Sequence, residues 1–178
     1  DFIAAAEYLI AQKYTNSEKL AAMGGSNGGL LVGACMTQRP ELFKVVVSQS
    51  GVLDMLRYHK FNVGYKYTEE YGNIEDSLDF LNLLSYSPVH NVKPGVDYPA
   101  TLLVASDNDD RVSPFHSFKF LSQLQKYGGT KNPYVLYYQE KAGHSGSGVF
   151  DNQIARKAYV YTFIYKYLGI ESKIYFED

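Results

Sequence analysis

The 178-residue chain contains a single cysteine, Cys35, which excludes an internal disulfide framework and any multi-cysteine zinc site. Its neighbours Leu31, Val32 and Ala34 mark it as a buried thiol rather than a reactive one. A basic surplus is lacking too. The 17 Lys and Arg against 19 Asp and Glu leave a formal net charge of -2, which argues against nucleic acid as a partner, because phosphate neutralisation needs clustered cations. The longest nearly unbroken apolar stretch, Gly28 to Met36, falls far short of the ~20 residues needed to cross a bilayer, and no membrane span is read. No basic n-region precedes an apolar one at Asp1-Phe2-Ile3-Ala4, so no signal peptide is visible; this leaves the compartment open. No histidine pair stands at metal-ligand spacing, and neither a G-x-G-x-x-G nor a G-x-x-x-x-G-K phosphate loop is present. Metal hydrolysis and nucleotide binding therefore have no visible ligand set, and no cofactor is expected.

What is present reads as one globular unit: 46% of residues are hydrophobic and 20% charged, with no repeat, linker or low-complexity tract. Phe2, Ala6, Leu9, Ile10 and the stem of Lys13 follow helical spacing behind an N-cap at Asp1. Leu20-Ala21-Ala22-Met23 reads as a buried strand running into Gly24-Gly25. A helix carrying Leu30, Leu31, Ala34 and Cys35 must stop near Arg39, because Pro40 follows. Val45-Val46-Val47-Ser48 is a strand buried on both faces, and Thr101–Ala105 and Tyr134–Tyr138 read the same way. Between the last two, Phe115, Phe118, Leu121 and Leu124 recur as a helical face; after them come Ile154, Ala158, Tyr161, Tyr165 and Leu168. Strands alternating with helices predict an α/β fold with a mostly parallel sheet. The aromatic segment Gly51 to Pro99 interrupts the alternation and reads as a helical excursion over one end of the sheet, its aromatics either packing it down or lining a pocket.

Gly24-Gly25-Ser26-Asn27-Gly28 matches G-x-S-x-G between a predicted strand and a predicted helix, the context in which this motif lifts a serine hydroxyl above the sheet edge. The backbone N–H of Asn27, at the positive end of that helix, would face the oxygen of a carbonyl under attack. A serine needs a base oriented by a carboxylate. His59, His90 and His116 read as surface or packing residues, whereas His144 lies in the small loop Lys141–Gly146, at the C-terminal end of the last strand, where α/β sheets place ligands. The carboxylate should come from Ser106-Asp107-Asn108-Asp109-Asp110-Arg111; spacing does not choose among the three aspartates. Serine, acid, histidine is the chain order of α/β-hydrolases.

These residues resemble the catalytic half of prolyl oligopeptidases. The likeness lies in Gly24–Leu31, in Gln38-Arg39-Pro40-Glu41-Leu42-Phe43, in Gly51–Leu56 continuing to His59-Lys60-Phe61, in Tyr86-Ser87-Pro88 with His90-Asn91-Val92, in Asp109–Val112 and in Lys141–His144. It covers nearly the whole chain. The resemblance implies Ser26 as nucleophile, His144 as base, Asp109 as orienting carboxylate, Asn27 as one oxyanion donor, Arg111 as holder of a substrate carbonyl, and Tyr71 and Val112 as walls of a proline pocket. Tyr67 stands where the family has a tryptophan stacked on the substrate proline, and offers a smaller face. The family's β-propeller, its early hydrolase strands and a tyrosine that acts as second oxyanion donor do not precede Asp1. Residues 1–178 are therefore expected to be the C-terminal part of a peptidase catalytic domain, a partial α/β-hydrolase fold of about four strands, and to be nearly inactive alone. The implied activity is hydrolysis of short peptides after proline, without cofactor. A related acyl-aminoacyl peptidase or carboxylesterase, or a catalytically silent binding module of hydrolase fold, are the alternatives.

Overall fold

Three consecutive valines cannot share one face of a strand, because successive side chains alternate. In the computed structural model, which describes residues 1–146 and 148–171, they are divided between two layers. Val46 of β2 (Val45–Gln49) enters one core with Leu103 of β3 (Ala100–Ser106), while Val45 and Val47 enter another with Leu102 and Val104. Flanking them are β1 (Ala21–Gly25) and β4 (Tyr134–Gln139). All pairings are parallel and the order follows the chain, β1-β2-β3-β4, with Met23 opposite Val47, Val47 opposite Leu102 and Leu102 opposite Val135. The expected α/β architecture is present.

Six helices accompany the sheet among the described residues: α1 (Phe2–Ala11), α2 (Asn27–Gln38), α3 (Thr68–Tyr71), α4 (Ser77–Tyr86), α5 (Phe115–Tyr127) and α6 (Phe150–Leu168). Right-handed crossovers between strands taken in sequence all fall on one face. Accordingly Ala6 of α1, Val32, Cys35 and Met36 of α2, and Phe120 and Leu124 of α5 pack on the Val46–Leu103 side. The opposite face is left to α6, which covers Val45, Val47, Leu102 and Val104 with Val160 and Ile164. Cys35 is buried, and burial pushes its thiol pKa up.

β1 lies at the edge of the described sheet, with Met23 47% exposed, as expected of a partial hydrolase sheet whose strand at Leu20 lacks its neighbour. Burial corrects the expectations for β4, α6, α5 and α1. β4 is an edge as well, its Val135 and Tyr138 open to solvent. In α6 the stripe through Ile154, Tyr161 and Tyr165 is exposed and the adjacent face through Val160 and Ile164 is buried, because a helix this rich in apolar residues offers two stripes and only contact with the sheet selects one. In α5 the three-residue spacing of Phe115, Phe118 and Leu121 drifts off the true period of 3.6, so that His116, Ser117, Phe120 and Leu124 face inward and Phe115 outward. In α1, likewise, Ile3, Ala6 and Ile10 meet the core while Phe2 and Leu9 are exposed.

The excursion from Gly51 to Pro99 contains α3, α4 and several short 3-10 turns. A buried ion cluster ties it to α5. The fully buried Asp54 carboxylate meets the Lys119 ammonium, with the Arg57 guanidinium at 3.7 Å and His90 Nδ1 at 3.9 Å. The Asp54 backbone N–H donates to His116 Nδ1 across 3.1 Å. His116 must therefore be neutral, and burial lowers its pKa from 6.5 to about 4. The unfolded chain then binds the proton first. Stability from this site is complete above pH 6.5 and is lost as the pH falls from 6.5 towards 4, a contribution of about 3 kcal/mol. A His116→Asn variant, whose side-chain oxygen can still accept from Asp54, should lack this slope. Urea unfolding at a series of pH values checks it; parallel curves for the two proteins would contradict the assignment.

Candidate active site

Ser26 lies between β1 and α2 at φ 55° and ψ -120°, a left-handed backbone that L-residues enter only at a cost on the order of 1 kcal/mol. The turn is held from both sides. The Ser26 N–H donates to Gln49 O at 2.8 Å, and Ser26 O accepts from Gly29 N at 2.9 Å and Leu30 N at 3.2 Å. No hydrogen bond occupies the N–H of Asn27, the first residue of α2, or the Ser26 hydroxyl among the described residues. A free donor at a helix start beside a free hydroxyl is the arrangement acyl transfer requires.

The glycines of this turn are not equivalent. A Cβ on Gly24 would lie 2.1 Å from Gly28 O, and one on Gly29 would lie 2.7 Å from the Cα of Gly51. A Cβ on Gly28 would meet nothing within 4 Å. Gly24 and Gly29 are thus sterically required, whereas Gly28 is not.

Asp109 and His144 are in contact. His144 Nδ1 lies 3.0 and 2.9 Å from the two Asp109 carboxylate oxygens, with side-chain exposures of 12% and 1%. As the acceptor is a carboxylate, the imidazole N–H donates from Nδ1 and leaves Nε2 as the lone-pair nitrogen. Asp109 Oδ1 also accepts from the backbone N–H of Arg111 at 3.0 Å and Val112 at 2.8 Å, and its carbonyl oxygen accepts from Asn62 Nδ2 at 2.7 Å. The carboxylate is therefore oriented before the imidazole arrives.

Ser26 ends β1 and His144 follows β4, three inter-strand spacings away, or about 14 Å. Asp107 shortens that gap. Its carboxylate accepts from the backbone N–H of Lys141 at 2.8 Å and of Ala142 at 3.1 Å, and Asn108 N–H donates to Ala142 O at 3.1 Å. These bonds lower the Asp107 pKa and lash the histidine loop back over β3. A reciprocal pair of backbone bonds between Gly143 and Gly146 then closes the turn that carries the ring. No hydrogen bond joins Ser26 Oγ to His144 among the described residues, so the structure brings together the acid and the imidazole and leaves the alcohol at the same sheet end without that contact. Of the five non-glycine residues at positive φ among the described residues, Ser26, Ser50, Asn62 and Lys141 sit on loops of this end.

The substrate-binding candidates also converge. Val112, Tyr67 and Tyr71 pack in one apolar cluster with Leu30, Val52, Met55 and Tyr58. The Tyr67 and Tyr71 rings are 6.0 Å apart, and Tyr58 meets the Tyr71 ring edge-on at 5.2 Å. Burial, then the neighbouring Glu70 charge, raises the Tyr71 phenol pKa. Arg111 is exposed and forms no ion pair with Asp110 among the described residues. Sequence reasoning did not single out Asn62, Gln49 or Glu70, and it left Asp107 as one of three equal acids. Their roles rest on contacts between segments distant in the chain, to backbone for Gln49, Asn62 and Asp107 and to the Asn27 side chain for Glu70, for which no spacing signal exists.

A profile of the prolyl oligopeptidase family matches residues 1–171. The chain belongs to the prolyl oligopeptidase family. It is 50% identical over 173 residues to a prolyl endopeptidase of Elizabethkingia meningoseptica, covering 97% of this chain and 24% of that protein. A prolyl endopeptidase of Dictyostelium discoideum is 45% identical over 174 residues, covering 96% and 23%. Among solved structures, a post-proline cleaving enzyme from Rickettsia typhi superposes with a TM-score of 0.91 at 37% identity, covering 96% of this chain and 24% of that one. The chain thus spans about a quarter of the length of the curated relatives it matches, and its sheet has the hydrolase form found in the family.

The asymmetry of the serine turn is measurable. Gly24→Ala should destabilise by about 2–4 kcal/mol through its clash with backbone. Gly28→Ala should be neutral or stabilise by up to about 1 kcal/mol, as alanine replaces glycine in a helix. Urea midpoints decide, and equal losses in both variants would refute the assignment.

Proposed function

We propose that this chain is the catalytic C-terminal part of a serine peptidase that hydrolyses short peptides on the carboxyl side of proline. The observation that carries the reading is the buried Asp109 carboxylate gripping His144 Nδ1 at the sheet end where Ser26 stands with its hydroxyl free. His144 Nε2 accepts the Ser26 proton as Oγ attacks the scissile carbonyl. The Asn27 N–H stabilises the oxyanion. The imidazolium, stabilised by Asp109, returns the proton to the leaving amine, and water releases the ester from Ser26 by the same path in reverse. Arg111 holds a substrate carbonyl, and Tyr67, Tyr71 and Val112 enclose the pyrrolidine ring.

The unmade contact between Ser26 and His144 supports one further element of this reading. The histidine turn has to approach the serine for proton transfer, and catalytic hydrogen bonds commonly tighten only when substrate is bound. A complete site also needs a second oxyanion donor, and the share of the relatives that the chain covers fits a role within a longer polypeptide. The propeller domain of that polypeptide is the expected partner, and it would restrict entry to short peptides.

In the longer protein a fluorophosphonate probe should label Ser26 and a Gly-Pro-linked chromogenic amide should be hydrolysed, both lost in Ser26→Ala. Asp109→Asn should lower kcat by about 10⁴, as expected when the histidine tautomer is no longer held. The 178-residue chain alone should turn over the same amide more slowly by on the order of 10²–10³ or more, the cost of one missing oxyanion donor. Labelling that persists in Ser26→Ala would sink the nucleophile assignment. Hydrolysis of an aryl ester without the prolyl amide would shift the reading to an esterase.

A further inference from the structure

Helix α3, which carries Tyr71 and adjoins Tyr67, is one turn of four residues without a side-chain cap, and Gly72 at φ 105° ends it. So short a helix has no stability of its own, so contacts must fix its position. Tyr58 supplies one from below, its hydroxyl donating to Gly72 O at 2.6 Å. The other comes from the serine turn. The Tyr71 hydroxyl donates to Asn27 Oδ1 at 2.7 Å, and Asn27 Nδ2 donates to Glu70 Oε1 at 3.0 Å. Both ends of a single amide are used, on two consecutive residues of α3.

We propose that the Asn27 side chain, with Glu70 as its partner, is a positioning device that registers the aromatic wall of the proline pocket against the nucleophile. This rests on the post-proline reading above. Asn27 then has two separable parts. Its backbone N–H faces the oxyanion, whereas its side-chain amide sets how far the Tyr67–Tyr71 wall stands from Ser26. An amide is required because it offers an acceptor to the phenol and a donor to the carboxylate from one planar group. An aspartate at the same place would keep the phenol contact and face Glu70 with like charge. Glu70 is exposed, touches neither Ser26 nor His144 among the described residues, and has no role in the chemical steps. Its effect is confined to the wall.

The test is a charge-swap cycle in the longer protein, reading kcat and KM on prolyl and alanyl amides with the same leaving group. Asn27→Asp and Glu70→Lys should each lower the prolyl-over-alanyl ratio of kcat/KM about tenfold, as loss of one charge-assisted bond implies. The loss should fall mainly on KM for the prolyl substrate. The double variant, which pairs a carboxylate with an ammonium, should recover the ratio to within about threefold. Glu70→Gln, which keeps the accepting oxygen, should stay near the unsubstituted protein. Unchanged ratios in both single variants, or a double variant as impaired as the two losses combined, would overturn the proposal. Should a single variant fail to fold, the ratio in Glu70→Ala against Glu70→Gln decides by the same criterion. An unsubstituted protein that labels at Ser26 but shows no preference for proline would overturn the post-proline reading instead.

Discussion

The buried carboxylate of Asp109 is the constraint on which this end of the molecule is built. An acid at 1% side-chain exposure is costly unless its charge is met, and here two backbone N–H groups and an imidazole N–H meet it. Each of those donors fixes something else. The amides of Arg111 and Val112 fold the loop after β3 so that Val112 turns into the apolar cluster and Arg111 out to solvent. The imidazole commits His144 to one tautomer. Asp107, two residues earlier, uses its own carboxylate on the backbone of the histidine loop, so one short acidic segment both orients the ring and bends its loop across the sheet.

The excursion is attached to this framework at three depths. At the base, Asp54 meets Lys119 and hands its N–H to a neutral His116. At mid-height, Asn62 reaches from a left-handed backbone to the carbonyl of Asp109. At the rim, the amide of Asn27 takes hold of Glu70 and Tyr71. The first attachment stabilises the fold, while the other two connect the aromatic wall to the loops bearing the acid and the nucleophile. The wall, the acid loop and the helix behind the nucleophile are therefore referenced to one another through backbone and amide bonds as well as through the apolar cluster that Tyr67 and Tyr71 share with Leu30 and Val112.

Some of the exposed apolar surface lies beside the open edge of the sheet at β1. Met23 on β1 and Tyr161 on α6 line one cleft with Arg156 and Lys157, and Met23 and Tyr161 are each about half exposed. Arg156 donates to Oε1 of Gln49, which lines the same cleft, at 2.9 Å. Gln49 is also the residue whose carbonyl receives the Ser26 N–H, so the edge and the serine turn share a support.

Residue chemistry along the chain was enough to determine the order of strands and helices in sequence: β-branched runs for the central strands, a proline for the end of α2, and a glycine-flanked serine, an acidic turn and a glycine-flanked histidine each following a strand. Those signals are local, since they arise from backbone sterics and side-chain type within a few residues. The choice of Asp109 over Asp107 and Asp110 came from family resemblance and not from spacing, because all three are short acids in one turn. Tertiary structure alone decided which stripe of α6 is buried, that β4 is an edge, that Gly29 rather than Gly28 is sterically required, and that Asp107, Asn62 and Glu70 take part. Each of these depends on how closely two segments distant in the chain approach, a quantity that packing sets and that no residue carries by itself.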